Sequence, residues 1–203
     1  MGYAEALAMQ RALVADRQAG AIDDVLLLVE HPPVLTLGVR GDGGRGHILA
    51  SADQLSASGI EVFETGRGGD ITYHGPGQLV GYPIVDLKPD RQDVHRYVRD
   101  LEEVLIRTAG SFGIEAGRVS GLSGVWVGNE KLAAIGVRIA RWVTSHGFAL
   151  NVGTNLDHFN LIVPCGIAER GVTSLERLLG RPVDPGQVED LAAGHFLQVF
   201  QYQ

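Results

Sequence analysis

Cysteine and long apolar runs are both scarce in this chain. Cys165 is the one cysteine among 203 residues, so no internal disulfide can form and a reducing compartment is expected. Residues 1–19 contain four charged side chains in the region where a signal peptide would be apolar. No apolar run approaches the roughly 20 residues that a transmembrane helix needs. These absences predict a soluble cytoplasmic protein that does not interact with membranes.

The charge balance is acidic, because 24 Asp and Glu residues outnumber 17 Lys and Arg residues and give a net charge of −7. Nucleic-acid binders usually carry a basic surface, so no nucleic-acid partner is expected. The length suits one domain over residues 1–203, large enough to bury a core without a disulfide or structural metal. Glycine, with 28 residues, is unusually frequent and favours tight turns and close backbone approach to a ligand.

Hydrophobic periodicity and turn residues predict a mixture of helices and strands. Helical spacing predicts helices over residues 2–19, 93–112, 172–179 and 185–200, the last with Asp184 as N-cap. Apolar runs bounded by turn residues predict strands over residues 25–30, 34–38, 60–65, 79–87, 142–152 and 161–163, and a hairpin over residues 124–139. Residues 41–46 and 66–78 are predicted loops. Strands and helices do not alternate strictly, which favours an α+β fold with an antiparallel or mixed sheet.

Residues 67–78, RGGDITYHGPGQ, combine five glycines and prolines with Arg67, Tyr73 and His74. A plain turn rarely needs that chemistry. Exposed backbone N–H groups in such a loop can approach a carbonyl or phosphate, and glycines leave room for an acyl chain or a pantetheine arm. The alternative is a mobile surface loop with incidental polar residues. The spacing matches neither the dinucleotide-binding G-x-G-x-x-G motif nor the P-loop.

Cys165 and Lys131 are candidate reactive residues. Cys165 lies between Pro164 and Gly166, after the apolar residues 161–163, which would present its thiol at a strand tip; the alternative is a small buried apolar residue. Lys131 is one of only two lysines and opens a predicted strand, so it is either a solvated strand end or a charge beside a thiol. A thiol with a pKa of ~8.5 is about 3% thiolate at neutral pH, and an ammonium at ~4 Å is worth at most ~4 kcal/mol to the thiolate.

The segments together resemble the lipoyl(octanoyl) transferase family, the octanoyl-carrier-protein:protein octanoyltransferases of lipoate biosynthesis. The similarity runs in order along nearly the whole chain, through residues 30–34 (EHPPV), 36–38 (TLG), 67–78, 131–136 (KLAAIG), 145–151 (SHGFALN), 164–167 (PCGI) and 171–175 (GVTSL). Several ordered motifs of this length make the resemblance highly specific.

The resemblance implies a two-layer fold like that of biotin and lipoate protein ligases, with a large mixed or antiparallel sheet, a small sheet and flanking helices. It implies that Cys165 attacks the octanoyl thioester and that Lys131 lowers the pKa of the Cys165 thiol and moves protons. The implied substrate-binding residues are Arg67, Gly68, Gly69, Asp70, Ile71, Thr72, Tyr73, His74, Ala134, Ile135, Gly136, Gly147, Phe148 and Ala149.

The resemblance also implies the partners of the reaction. The donor is octanoyl-acyl carrier protein, and the acceptors are the lipoyl domains of 2-oxoacid dehydrogenase E2 subunits and the glycine cleavage H protein. No cofactor is implied, and Cys165, His74 and His146 lack the spacing of a zinc site. Backbone N–H groups of residues 75–77 or of Cys165 and Gly166 are alternative donors to an oxyanion.

Two rival functions are compatible with the expected fold. An ATP-dependent lipoate or biotin protein ligase shares a strand-borne lysine but needs no cysteine nucleophile, so Cys165 and residues 73–78 favour the transferase. A catalytically silent protein that binds acyl groups or lipoyl domains would be expected to lack the Cys165–Lys131 pair. A thioester adduct and a dependence on ATP distinguish the three.

Overall fold

A computed structural model describes residues 1–40, 44–163 and 170–202. Its helices are α1 (Tyr3–Gln18), α2 (Ala52–Ala57), α3 (Val94–Gly110), α4 (Leu175–Leu179) and α5 (Pro185–Phe200). Its strands are β1 (Val25–Val29), β2 (Val34–Leu37), β3 (Glu61–Glu64), β4 (Thr72–His74), β5 (Gln78–Ile84), β6 (Gly117–Val119), β7 (Leu122–Val127), β8 (Glu130–Ala140), β9 (Val143–Asn151) and β10 (Gly171–Val172). Short 3₁₀ helices cover Arg45–His47 and Leu156–Leu161.

Two sheets form the framework of the described residues. The large sheet has the order β1-β5-β9-β8-β7-β6. Strand β9 pairs with β8 only from Ala133 onward, and β10 pairs with β8 at Glu130 and Lys131. The pairings of the large sheet are antiparallel except for β10 with β8. The small sheet has the order β3-β2-β4, with β2 parallel to β3. This arrangement confirms the α+β expectation of one large mixed sheet and one small sheet with flanking helices.

The two faces of the large sheet pack against different helices. Helices α3 and α5 cover one face, where their buried residues join Leu132, Ala133 and Leu150 in the main core. Helix α1 covers part of the other face, where Ala6 packs with Val80, Tyr82 and Ala149. The small sheet builds a separate core with α2 and residues 156–162. The face that α1 shares with the small sheet is the one that forms the site described below.

The helix predictions succeeded where capping signals and apolar periodicity agreed. Helix α5 begins after Asp184, whose side chain accepts a hydrogen bond from the N–H of Gly186. Helix α3 begins after Asp93, whose side chain accepts a hydrogen bond from the N–H of Arg96. This helix buries a stripe of residues that includes Tyr97 and Leu101. Helix α1 and strands β1, β2, β3 and β5 also lie within about two residues of their predicted bounds or inside them. The predicted hairpin is β7 and β8.

Several local predictions were wrong. Residues 161–163 are not a strand: the chain makes a 3₁₀ helix through Leu161, which begins where the Asn155 side chain accepts the N–H of Asp157. The predicted loop over 66–78 contains strand β4, and the predicted helix from residue 172 begins only at Leu175. Helix α2 was missed although Ser51 and Gln54 form a capping box that is visible in the sequence. Strand β6 was missed as well. In the predicted loop 41–46, residues 41–43 lie outside the described residues.

The packing of Gly147 makes the central strands sensitive to added volume. A methyl group on Gly147 would lie 2.3 Å from the Gly81 carbonyl oxygen and 2.6 Å from the Pro83 Cδ, whereas one on Gly194 in α5 would meet nothing within 4 Å. We therefore expect Gly147→Ala to lower the free energy of unfolding by about 1–3 kcal/mol. Gly194→Ala should raise it by about 0.5–1 kcal/mol, because alanine is the better helix former. Urea unfolding followed by circular dichroism measures both, and equal stabilities of the two variants would contradict this packing.

Candidate active site

A cavity of about 530 Å³ lies between the large sheet and the small sheet. Strands β8 and β9 supply one wall, the segment after β3 supplies the opposite wall, and Tyr3 of α1 closes part of the space. The cavity brings residues 67–74 together with strands β8 and β9, which follow them in the chain only after β5, α3, β6 and β7. All three were singled out by sequence.

Most of the predicted substrate-binding residues line this cavity. With Lys131, the lining residues among them are Arg67, Gly69, Asp70, Thr72, His74, Ala134, Ile135, Gly136, Gly147, Phe148 and Ala149. Register explains why the last segments meet, because Ala134 lies opposite Ala149 and Gly136 lies opposite Gly147. Directly opposed residues of antiparallel strands share one face of the sheet.

Three of the predicted binding residues do not line the cavity. Ile71 and Tyr73 are fully buried in the small core, because alternate residues of β4 face opposite sides and Thr72 and His74 take the cavity side. The Tyr73 hydroxyl bonds to the His158 Nδ1 at 2.7 Å, and burial raises its pKa to about 12. Gly68 donates its N–H to the Val137 carbonyl and so joins the two walls.

The approach of the two walls at Gly68 requires glycine on both sides. A methyl group on Gly136 would lie 2.9 Å from the Gly68 carbonyl oxygen and 3.2 Å from the Arg67 Cδ. The glycines of the RGG segment and of β8 thus allow backbone to approach backbone. Sequence reasoning had assigned that space to a ligand.

Lys131 reaches the cavity because of an irregularity in β8. Trp126 lies opposite Lys131, whereas the preceding residue of β7, Val125, lies opposite Ala133, so β8 carries one extra residue. Without that bulge, Lys131 and Ala133 would share a face, and Ala133 belongs to the core beneath α3 and α5. The bulge turns Lys131 to the cavity side, where it is 9% exposed and its Nζ lies 4.8 Å from the centre of the Trp126 ring.

Cys165 lies outside the described residues, as do Pro164 to Glu169 as a whole. The residues that flank this segment are bonded to cavity-lining residues. Val163 donates its N–H to the His47 carbonyl at 2.8 Å, and Thr173 donates its N–H to the Lys131 carbonyl at 3.0 Å. Described residues on both sides of residues 164–169 therefore contact the walls of this cavity.

A buried chain of polar groups runs from Arg67 to β10. The guanidinium donates to the Thr36 Oγ1 from Nε (3.2 Å) and Nη2 (3.0 Å), and Thr36 bonds the His74 Nε2 at 3.3 Å. His74 Nδ1 lies 2.8 Å from the Gln78 Oε1, and Gln78 Nε2 donates to the Asn151 Oδ1 at 2.9 Å. Asn151 then donates to the Thr173 carbonyl at 2.9 Å.

In this series of hydrogen bonds, each side chain donates to the next one, and this direction determines the tautomer of His74. Since Gln78 uses its amide NH₂ on Asn151 and on the Tyr73 carbonyl, its oxygen must accept, so the His74 Nδ1 carries the proton. Every member is buried, and hydrogen bonds between buried polar groups hold those groups in one arrangement. It links the RGG segment, β4, β5 and β9 to the residue that follows β10.

Two of the cavity histidines are kept neutral. Burial, with smaller effects from Arg67 and neighbouring histidines, lowers the pKa of His74 to about 3. Burial and the positive charges of Arg67 and Arg138 lower the pKa of His146 to about 4. His146 also has a left-handed backbone, with φ of 54°, and its N–H donates to the Gln10 side chain of α1. Both rings are therefore polar but uncharged at neutral pH.

His47 differs from these two histidines because it pairs with a carboxylate. Its Nδ1 lies 2.9 Å from the Asp70 Oδ1, which also accepts the Ile71 N–H at 2.6 Å. The His47 side chain is 40% exposed and lines the cavity. His47 is therefore a polar group of the cavity that is accessible to solvent.

Sequence reasoning missed several lining residues. Val80 and Tyr82 share a face of β5 with Gln78, because alternate residues of a strand face the same side of the sheet. The apolar run that predicted this strand did not indicate which of its residues face the cavity. No local signal marked Tyr3, which reaches the cavity only because α1 packs across the sheet. Arg40, Gly121, Leu122 and Ser123 also line the cavity.

The turn at residues 75–77 does not supply cavity donors. None of these three residues lines the cavity, and the N–H of Gly77 donates to the Glu30 carboxylate at 2.8 Å. The expectation that this turn holds an oxyanion was therefore wrong, and the alternative at Cys165 and Gly166 lies outside the described residues.

In the described part of the chain, no three His, Cys, Asp or Glu side chains cluster closely enough to hold a metal ion. In the same part, no helix is both long and apolar enough to cross a bilayer.

Comparison with known families adds independent information. Residues 2–197 match the lipoyl protein ligase A/B catalytic domain. A protein of Desulforamulus reducens named octanoyltransferase is 48% identical, covering 99% of this chain and 88% of that protein. One of Solibacter usitatus with the same name is 52% identical, covering 99% and 90%. Another from Myxococcus xanthus is 54% identical over 98% of this chain, which spans 57% of that longer protein.

Solved structures with a similar fold have far lower identity. A lipoate-protein ligase A bound with ATP superposes with a TM-score of 0.74 at 18% identity, covering 95% of this chain and 81% of that one. A T. acidophilum protein described as a lipoate protein ligase, with bound lipoic acid, gives 0.73 at 17% identity, with the same coverage. At such identities these likenesses show the fold alone.

Because His74 and His146 are neutral in the folded protein, the free energy of unfolding decreases as the pH falls. Both folded pKa values lie below the ordinary value of 6.5, so the unfolded chain binds more protons between about pH 6.5 and pH 4. Stability is therefore fully present above pH 6.5 and falls as the pH drops, by up to about 1.4 kcal/mol per unit for each histidine.

We expect His74→Gln to flatten the slope of unfolding free energy against pH between 6.5 and 4. Urea titrations at several pH values measure this slope. The parent protein, measured under the same conditions, gives the reference slope. An unchanged slope in His74→Gln would show that His74 is not held neutral.

Proposed function

The chain belongs to the lipoyl protein ligase A/B catalytic-domain family and, within it, to the octanoyltransferases, and from this premise we propose that it transfers an octanoyl group through Cys165 to a protein lysine. The donor is octanoyl-acyl carrier protein. The acceptors are the lipoyl domains of 2-oxoacid dehydrogenase E2 subunits and the glycine cleavage H protein. The reaction takes place in the cytoplasm, where a single cysteine stays reduced.

One observation carries the proposal. Lys131 lines the cavity beside an apolar channel, and described residues on both sides of the segment that contains Cys165 donate hydrogen bonds to residues of that cavity. The Val80–Ala149–Ala134 row of small apolar side chains gives an acyl chain a smooth wall. An ammonium near a thiol stabilises its thiolate, which is the nucleophile.

In the first step, the Cys165 thiolate attacks the thioester carbonyl of the donor. A new carbon–sulfur bond forms, the bond to the carrier's sulfur breaks, and the Lys131 ammonium supplies the proton that the released carrier thiol needs. One thioester replaces another, so this step is nearly balanced in energy. Activation of the nucleophile matters more here than driving force.

In the second step, the neutral amine of the acceptor lysine attacks the Cys165 thioester. The carbon–nitrogen bond forms, the carbon–sulfur bond breaks, and Lys131, now neutral, takes the proton that the amine loses. The thiolate and the ammonium are both restored. Conversion of a thioester to an amide draws the whole sequence forward, and no nucleotide is consumed.

Within the binding segment, we assign distinct roles by position. Thr72, His74, Gly69 and Asp70 lie on the wall opposite Ala134 and Ala149, so an acyl group would be held between them. Gly136 and Gly147 continue the face of Ala134 and Ala149 away from Lys131. Ile135 and Phe148 alternate with them, and their side chains pack in the main core behind this wall. Arg67 is buried in hydrogen bonds to Thr36 and Gly68, so its role is to hold the wall in shape. Ile71 and Tyr73 support the wall from the small core, and Gly68 joins it to the opposite wall.

The covalent intermediate gives the direct test. After mixing with octanoyl carrier and no ATP, intact-mass spectrometry should show one added octanoyl group on the parent protein that hydroxylamine removes. Cys165→Ser should show no hydroxylamine-sensitive adduct, and Lys131→Met should form the adduct at least about tenfold more slowly. Full transfer by Cys165→Ser, or transfer that requires ATP, would favour the ligase mechanism. A parent protein that binds the carrier but gains no mass would favour a binding protein.

Acyl-chain preference should follow the volume near Ala149. This side chain is buried and lines the cavity in the row with Val80 and Ala134. Ala149→Leu should raise the kcat/KM ratio of hexanoyl over octanoyl donors by about tenfold or more, because a filled pocket rejects extra methylenes. Ala192→Leu, buried in α5 away from the cavity, is the matched control and should cost stability without changing the ratio. Equal ratios in both variants would place the acyl chain elsewhere.

A further inference from the structure

We infer that Trp126 is the positioning residue for Lys131, holding its ammonium in place through the face of the indole ring. This inference rests on the proposed function, in which Lys131 assists Cys165. Neither the motifs of the sequence nor the substrate-binding segments include Trp126. It lies in β7, beside the cavity but not among its lining residues.

The first argument is register. Trp126 is the cross-strand partner of Lys131 at the bulge in β8, and the two side chains lie on the same face of the sheet. The ring is 3% exposed, and the Lys131 Nζ lies 4.8 Å from its centre. A cation within about 6 Å of a tryptophan face is attracted by the ring quadrupole, and more strongly when the contact is desolvated.

The second argument is that the same ring contacts a residue that follows Cys165 in the sequence. The Arg170 Cζ lies 5.2 Å from the centre of the Trp126 ring, and Arg170 is the first described residue after 164–169. Two residues later, Val172 pairs with Lys131 in β10. One buried ring therefore contacts both Lys131 and Arg170, the first described residue after the segment that contains Cys165.

The third argument comes from the indole nitrogen. The Trp126 Nε1 is buried and has no hydrogen-bond partner among the residues that the structure describes, and an unsatisfied buried donor is destabilising. Phenylalanine or leucine would avoid that penalty at this position. The benefit of tryptophan here must therefore come from the ring face, which is the part that contacts the two cations.

The sharpest experiment changes the ring's electrostatics without changing its shape. In a Trp142→Phe background, Trp126 is the sole tryptophan and can be replaced biosynthetically by tryptophans with one to four fluorine atoms, which weaken the quadrupole. Cys165 is the sole cysteine, so the rate of iodoacetamide alkylation at pH 7 reports its thiolate directly. A merely structural role for the ring would not move this rate.

We expect the alkylation rate to fall with each added fluorine, by about two- to fivefold across the series, and octanoyl transfer to fall in parallel. Trp126→Phe should stay within about twofold of the background, whereas Trp126→Leu should lose as much as the most fluorinated protein or more. Lys131→Met gives the lower limit. Circular dichroism and thermal unfolding establish that each protein is folded.

Two results would overturn the inference, and they are distinguishable. If Lys131→Met slows alkylation but the rate is flat across the fluorinated series, Trp126 does not position Lys131 and the proposed function stands. If Lys131→Met is alkylated at the parent rate, the Cys165–Lys131 pair itself is wrong. The inference about Trp126 then falls with it.

Discussion

The extra residue in β8 determines which side of the large sheet Lys131 faces. Alternation alone would turn this lysine toward Ala133 and the apolar core beneath α3 and α5, where a charge would be costly. The bulge turns it toward Trp126 and the cavity, and β10 then pairs alongside it. The local departure from regular pairing is what makes a buried cation available to a ligand.

Around that lysine, the two sheets are held at a fixed separation by backbone contacts and buried polar groups. The Gly68 N–H reaches the Val137 carbonyl across the gap, and the chain of hydrogen bonds from Arg67 through His74 and Gln78 ties the small sheet to β9 and the end of β10. Each group in this series donates a hydrogen bond to the next, from Arg67 to the Thr173 carbonyl. These bonds hold the cavity walls in place before any substrate binds. The channel along Ala134 and Ala149 can then be apolar without losing its shape.

Sequence patterns predicted those features that depend on neighbours in the chain. The cap at Asp184, the stripe of α3 and the hairpin of β7 and β8 follow from local spacing, and the ordered motifs correctly marked segments that meet in one cavity. The failures have a common cause. The bulge at Lys131, the packing of Tyr3 across the sheet and the division of residues 67–74 between two faces all depend on partners distant in sequence. Cys165 remains a sequence-based prediction.

A crystal structure of the enzyme trapped as its octanoyl adduct tests the central claim most directly, because it locates the acyl group relative to both walls. We expect the octanoyl chain to run along Ala149 and Gly147, with the thioester sulfur of Cys165 within hydrogen-bonding distance of the Lys131 Nζ and that nitrogen still over the Trp126 ring. An adduct carried by another residue, or an octanoyl chain outside this cavity with Lys131 remote from the thioester, would contradict it.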